Sequence, residues 1–135
     1  MIEVASRRLS AATLSARFPG ATILDVTSKG PEAWVRFSPF FPHGGIPVPL
    51  SPGAKGASVE GIWQGLKVFD SADVDLNMIA NTTMKGIKRT VRTNGPVRGH
   101  RAGIGSDVLL SYHDARLQIY LPAYRWVLDN CLTEE

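Results

Sequence analysis

Residues 58–70 read Ser58-Val59-Glu60-Gly61-Ile62-Trp63-Gln64-Gly65-Leu66-Lys67-Val68-Phe69-Asp70, and their spacing decides how the rest of the chain is read. Val59, Ile62, Trp63, Leu66 and Phe69 recur at helical intervals, so the segment is expected to be a helix from about Ser58 to Asp70. At about 100° per residue, Glu60, Gln64 and Lys67 share a second, narrower face. Gly61 and Gly65 fall on a third. A glycine inside a helix costs about 1 kcal/mol relative to alanine. Close approach of another backbone, or of a ligand, is the expected compensation. A helix apolar on one side and glycine-lined on another belongs at the centre of a domain.

The flanks are built differently. Ser10 is positioned to cap a short helix over residues 11–17, which Pro19-Gly20 ends. Residues 21–26 and 33–37 both read as strands, joined by the turn at Thr27-Ser28-Lys29-Gly30-Pro31, so a small N-terminal hairpin is expected. Residues 38–55 hold five prolines, which exclude helix and allow at best an edge strand. A stiff proline-rich loop of this length suits the wall of a pocket. Asp73 is expected to cap a helical stretch through Asn81. Residues 84–92 are expected to be helical, with Lys85, Lys88, Arg89 and Arg92 on one face. Residues 93–106 read as a loop, and residues 107–130 as helix, kinked or split at Pro122. The expected fold class is therefore α+β, a single, mainly helical domain over residues 1–135 with a small N-terminal hairpin.

Composition bounds the function. Hydrophobic residues make up 44% and charged residues 20%, which is globular rather than disordered composition. No apolar run approaches the ~20 residues a membrane-spanning helix needs, and the N-terminus has no apolar segment of a secretory signal. One cysteine, Cys131, gives no internal disulfide framework, so a cytoplasmic setting is expected. The net charge of +3 is mild, but six Lys or Arg and no acid lie between Lys85 and Arg101. That local basicity suits a small anionic ligand better than a long polyanion. His43, His100 and His113 lack metal-ligand spacing, and no metal or other cofactor is expected.

Two groups of residues could carry chemistry. The first is Glu60 with Gln64 and Lys67: a carboxylate beside a carboxamide and an ammonium can do acid–base work or stabilise a developing cation. The plainer reading is an ordinary solvated polar face. The second group comprises Lys85, Lys88, Arg89 and Arg92 with the loop Gly95-Pro96-Val97-Arg98-Gly99-His100-Arg101, in which arginines and glycine-exposed backbone suit phosphate. The plainer reading there is a basic surface, and the spacing matches neither a P-loop nor a dinucleotide fingerprint.

The segment Arg36-Phe37-Ser38-Pro39-Phe40, a loop, and then Ser58-Val59-Glu60 with Gln64 and Lys67 resembles the NADAR superfamily, the YbiA-like proteins. Their signature is an F-S-P-like segment followed by a helix reading roughly S/T-V/A-E-H-x-x-Q-x-x-K. The resemblance covers residues 36–92. It implies a YbiA-like fold and cleavage of an N-glycosidic bond in a phosphorylated nucleoside or an ADP-ribosyl compound. On that reading Glu60 is the catalytic carboxylate. Gln64 and Lys67 hold it or the ligand, and Phe37, Ser38 and Trp63 line the pocket. Gly61 stands where the family commonly has histidine. A second acid is not identified, with Asp107 and Asp114 as candidates. Nucleic acid is expected as a partner only in ADP-ribosylated form. Two alternatives stay open: a non-catalytic nucleotide or ADP-ribose binding module, and a protein-interaction domain using the proline-rich loop.

Overall fold

The computed structural model describes residues 1–132. Its centre is helix α3 (Val59–Leu66), in which all eight residues are buried. Ser58 caps it by accepting the Gly61 N–H at 2.9 Å. Val59, Ile62, Trp63 and Leu66 form the core with Ile46, Val48, Ile79, Ala115, Ile119, Ala123 and Val127. Each of the Val, Ile and Leu side chains contributes on the order of 1.5–3 kcal/mol when taken from water.

The glycines of α3 face helix α4 (Leu76–Ile79). A Cβ on Gly61 would stand 2.5 Å from the Met78 carbonyl oxygen, and one on Gly65 would stand 2.8 Å from that of Asp75. The compensation for two helical glycines is thus backbone approach, not a ligand. Asp75 caps α4 through its side chain and donates its own N–H to Gly65 O at 2.8 Å. The cap is Asp75 and not Asp73, which instead pairs with Arg101.

The helix stops at Leu66, four residues before the sequence expectation. Lys67–Phe69 leave it as strand β3, which pairs antiparallel with β4 (Val97–Arg101); β4 in turn pairs with β5 (Leu109–Leu110). Val68 and Phe69 have the side chains strands favour, and pairing with β4 overrides the helical period. A separate two-stranded ribbon joins β1 (Ile46–Pro47) to β2 (Lys55–Gly56) across the proline-rich loop.

The N-terminal hairpin does not form. Helix α1 (Ala11–Arg17) is capped by Ser10 as expected, with Thr13 N–H donating to the Ser10 hydroxyl at 3.1 Å. Residues 21–26, however, pair with no strand. Glu32–Val35 form one helical turn, α2, because Pro31 starts it and its carbonyl accepts both the Trp34 and Val35 N–H groups.

Three further expectations are corrected. Residues 84–90 are not helical: Met84 and Gly86 adopt positive φ of 61° and 65°, which breaks the helical run, and only Val91–Asn94 form a turn, α5. Lys85, Lys88, Arg89 and Arg92 therefore do not share a helical face. The supposed loop at 93–106 contains β4, and the supposed helix start at 107 contains β5. The terminal helix begins after Ser111, as α6 (Tyr112–Ala115), passes through a π-helical turn at Arg116–Tyr120, and continues as α7 (Leu121–Asn130). The wider π turn precedes Pro122 and accommodates its missing N–H, so the helix is neither split nor ended there. No helix of the described residues is long and apolar enough to cross a membrane.

Candidate functional site

Glu60 is nearly buried, and its main-chain N–H donates to Pro39 O at 2.8 Å. That bond ties the Phe37-Ser38-Pro39 segment to the first turn of α3. The Glu60 carboxylate accepts a hydrogen bond from Gln64 Nε2 at 3.0 Å, one helical turn on. Gln64 is itself oriented from outside the helix: its Oε1 accepts the Arg89 main-chain N–H at 3.3 Å. Because Oε1 is occupied by a donor, Nε2 is the atom left to face Glu60.

Lys67 follows in β3. It makes no ion pair with Glu60 within 4.0 Å among the described residues, yet the two charges act on each other. Burial pushes the Lys67 ammonium down; Glu60 opposes this, and Arg89 and Lys88 add to it. His100 stands directly across the ladder from Lys67, so the two side chains share one face of the sheet. The His100 ring is 2% exposed and stacks on Trp63 with centroids 3.8 Å apart. Neither ring nitrogen has a hydrogen-bond partner among the described residues. Burial, helped by the Lys67 charge, pushes His100 down to about 4, so it is neutral at pH 7. Tyr120 meets Trp63 edge-on at 5.5 Å, and burial together with the Glu60 charge pushes its phenol up to about 12.

The structure thus brings together Glu60, Trp63, Gln64, Lys67 and His100. It separates the remaining arginines from ligand work. Arg89 donates to Gln64 O at 3.1 Å, Lys67 O at 2.7 Å and Asp73 O at 2.6 Å, so its guanidinium ties the end of α3 to β3. Arg98 is paired with Asp70, and Arg101 with Asp73 at 2.7 Å. The Asp73 carboxyl is held down at about 2 by its hydrogen bonds to Arg101 and to the Val74 N–H. Lys85 is exposed, with its carbonyl used by Asn81. Phe37 and Ser38 are structural in their visible contacts: Ser38 is buried and its hydroxyl accepts the Phe40 N–H, while the Phe37 carbonyl takes the Tyr124 hydroxyl at 2.5 Å.

Lys88 belongs to the basic face read from the sequence, whereas sequence reasoning missed Phe40 and Tyr120 as site residues. The Lys88 ammonium lies 5.8 Å over the Phe40 ring and its charge is felt at Lys67. Phe40 belongs to the same short segment as Phe37, and Lys88 to the basic run, so both carried a signal; Tyr120 carried none. Of the two candidate second acids, Asp107 lies beside Arg101 in a hollow of about 290 Å³ with Asp73 and Ser106, and Asp114 is exposed on α6. A second hollow of about 290 Å³ lies at the proline-rich ribbon, lined by Pro47, Leu50, Pro52 and Ala54 among others. Neither hollow includes Glu60. Among the described residues no three His, Cys, Asp or Glu side chains are grouped to hold a metal.

A carboxylate braced by an amide, with an ammonium and two aromatic rings close by, can stabilise positive charge on a sugar ring or orient a water. The chain belongs to a family of unknown function, DUF6939. Its model matches residues 6–135, which takes in every element described above. No curated protein and no solved structure matches the chain. The family description carries no activity.

Proposed function

We propose that the protein is an N-glycosidase-like hydrolase with a YbiA-like fold, cleaving the bond between ribose and a nitrogen base in a phosphorylated nucleoside or ADP-ribosyl compound. The observation that carries this reading is Glu60: a nearly buried carboxylate, with no cation within 4.0 Å among the described residues, oriented by Gln64 and facing the charge of Lys67. Leaving of the base builds oxocarbenium character at the ribosyl carbon. Glu60 stabilises that charge and orients the water that adds to the carbon; the water's proton passes to the departing nitrogen. Lys67, which acts on Glu60, and Lys88, which acts on Lys67, are the cations for a phosphate, whereas Arg89, Arg98 and Arg101 are engaged. The single cysteine supports a cytosolic setting.

Incubation with phosphorylated nucleosides and ADP-ribosyl compounds, with chromatographic detection of released base, tests the proposal. Glu60→Gln keeps the shape and the Gln64 contact but removes the charge; it should abolish turnover and spare the fold. Turnover equal to the parent's would overturn the assignment. A second reading, binding without turnover, is favoured by one observation: both hollows lie away from Glu60. On that reading a ligand raises the melting temperature and is recovered intact.

A further inference from the structure

A purine leaves ribose as an anion, so a hydrogen-bond donor at the base eases hydrolysis at Glu60. Neither aspartate singled out from the sequence supplies one. Asp107 lies beside Arg101 in a hollow that does not include Glu60, and Asp114 is exposed on α6.

The terminal helix brings a different group. Its buried row is Ala115, Ile119, Ala123 and Val127, each at most 1% exposed and four residues from the next. In an α-helix that spacing runs about 40° past a full turn at each step. The wider π turn at Arg116–Tyr120 takes up part of this drift and keeps the row on the core. Tyr120 and Tyr124 then run along the flank of the row. Tyr124 donates to the Phe37 carbonyl, two residues before Pro39, whose own carbonyl accepts the Glu60 N–H. Tyr120 meets Trp63 edge-on at 5.5 Å, and Trp63 stands one helical turn from Glu60. The two tyrosines thus hold this flank against both neighbours of the carboxylate.

Their hydroxyls differ. That of Tyr124 is engaged by Phe37, whereas that of Tyr120 bonds to nothing among the described residues and is open to solvent. Burial of the ring, then the Glu60 charge, pushes the Tyr120 phenol up to about 12. It keeps its proton at neutral pH and can donate a hydrogen bond beside the carboxylate.

We infer that Tyr120 is a second catalytic residue, whose hydroxyl donates a hydrogen bond to the base as it leaves the ribose held at Glu60. The electron pair of the C–N bond passes to the base nitrogen, and the hydroxyl steadies that negative charge without giving up its proton. The water that adds to the ribosyl carbon supplies the proton the base takes. The assignment rests on the hydrolase reading of Glu60 and adds a substrate class: bases that leave as anions.

Tyr120→Phe keeps the ring on Trp63 and removes only a hydroxyl with no protein partner, so the melting temperature should match the parent's. Two probes separate its role from a structural one. Adenosine monophosphate has a base that leaves as an anion; nicotinamide mononucleotide has a pyridinium base that leaves neutral. Chromatography of the released base gives kcat and KM for the parent, Tyr120→Phe and Glu60→Gln. Tyr120→Phe should lower kcat on adenosine monophosphate by about a hundredfold, with KM within about twofold. On nicotinamide mononucleotide its kcat should stay within about twofold, because the departing base carries no negative charge to steady. Equal losses on the two probes, or an unchanged kcat on adenosine monophosphate, would overturn the role of Tyr120 while an inactive Glu60→Gln kept the hydrolase reading. Release of neither base by the parent would overturn that reading and the Tyr120 assignment with it.

Discussion

The main-chain N–H of Arg89 donates to Gln64 Oε1, and this bond, from a segment 25 residues away, determines which end of the Gln64 amide meets Glu60. The same residue's guanidinium takes the carbonyls of Gln64 and Lys67 where α3 gives way to β3, and lies 4.9 Å over the Phe69 ring. Carbonyls at a helix end have no partner within the helix, so an arginine there completes them and opposes the helix dipole. Arg89→Met should remove three charge-assisted hydrogen bonds while leaving the main-chain bond to Gln64. A loss of about 2–4 kcal/mol is expected, since hydrogen bonds to charged groups contribute roughly 1.5–3 kcal/mol each and water recovers part of the loss. Urea unfolding monitored by Trp63 and its neighbours measures it. Arg89→Lys should recover little, because one ammonium cannot reach three divergent carbonyls.

Gly61 and Gly65 make a different prediction. By helix propensity alone, Gly→Ala should stabilise by about 1 kcal/mol. At Gly61 the added carbon would stand 2.5 Å from the Met78 carbonyl oxygen, and that atom belongs to the backbone of α4. Overpacking of this kind costs typically about 1–3 kcal/mol, and backbone cannot step aside as a flexible side chain can. Gly61→Ala should therefore be less stable than the parent by thermal or urea unfolding. A gain in stability would show that α4 does not lie against α3 as described.

Much of α3 is legible in the sequence because one physical rule governs it: Val59, Ile62, Trp63 and Leu66 mark the buried face, Ser58 the cap, and the glycines the close approach. Its end is not, since Phe69 continues the helical spacing while its backbone pairs with Val97, and that pairing is nonlocal. Residues 21–26 fail in the opposite way: they have the composition of a strand, but a strand needs a partner, and pattern alone does not supply one. The basic run misleads most. Its charge suggests a bound anion, whereas Arg98 and Arg101 meet Asp70 and Asp73, which are distant in sequence. Glu60 and Gln64 share a face of α3 and are hydrogen-bonded, whereas Lys67 lies past the end of the helix, in a strand, and does not continue that face.

His100 gives the protein a defined acid response. Its folded value of about 4 lies below the ordinary 6.5, because burial disfavours the charged ring and Lys67 repels it. The unfolded chain therefore takes up a proton as pH falls below 6.5, while the folded chain does not until about 4. Stability is full above the unfolded value, falls across that window, and levels off below it. The loss is on the order of 3 kcal/mol, since each tenfold change in proton affinity between the two states corresponds to about 1.4 kcal/mol. Burial also lowers His43, which bonds the Arg36 carbonyl at 2.8 Å, so that residue adds to the same slope. Unfolding free energies from pH 7 to pH 4 should show a steep decline in the parent. His100→Gln should flatten most of it and His43→Gln a smaller part. Asp73 titrates near 2 and acts below this window. An unchanged slope in His100→Gln would mean that the ring is not held neutral in the fold.

The two lysines separate ligand binding from surface charge. Both lysines are exposed, but Lys88 lies over Phe40, whose segment is tied to Glu60 through Pro39, and its charge reaches Lys67, whereas Lys85 is not felt there. If a phosphate is gripped beside Glu60, Lys88→Ala should weaken it by about tenfold or more, the loss of one charge-assisted hydrogen bond of roughly 1.5–3 kcal/mol. Lys85→Ala should leave affinity within about twofold, as expected of a screened charge that is not felt at Lys67. Isothermal titration of the parent and both variants with the ligand found by thermal-shift screening makes the comparison, repeated at two salt concentrations. Equal losses in the two variants, growing smaller together as salt rises, would mean that the anion is attracted by the general basic surface and not held at the carboxylate.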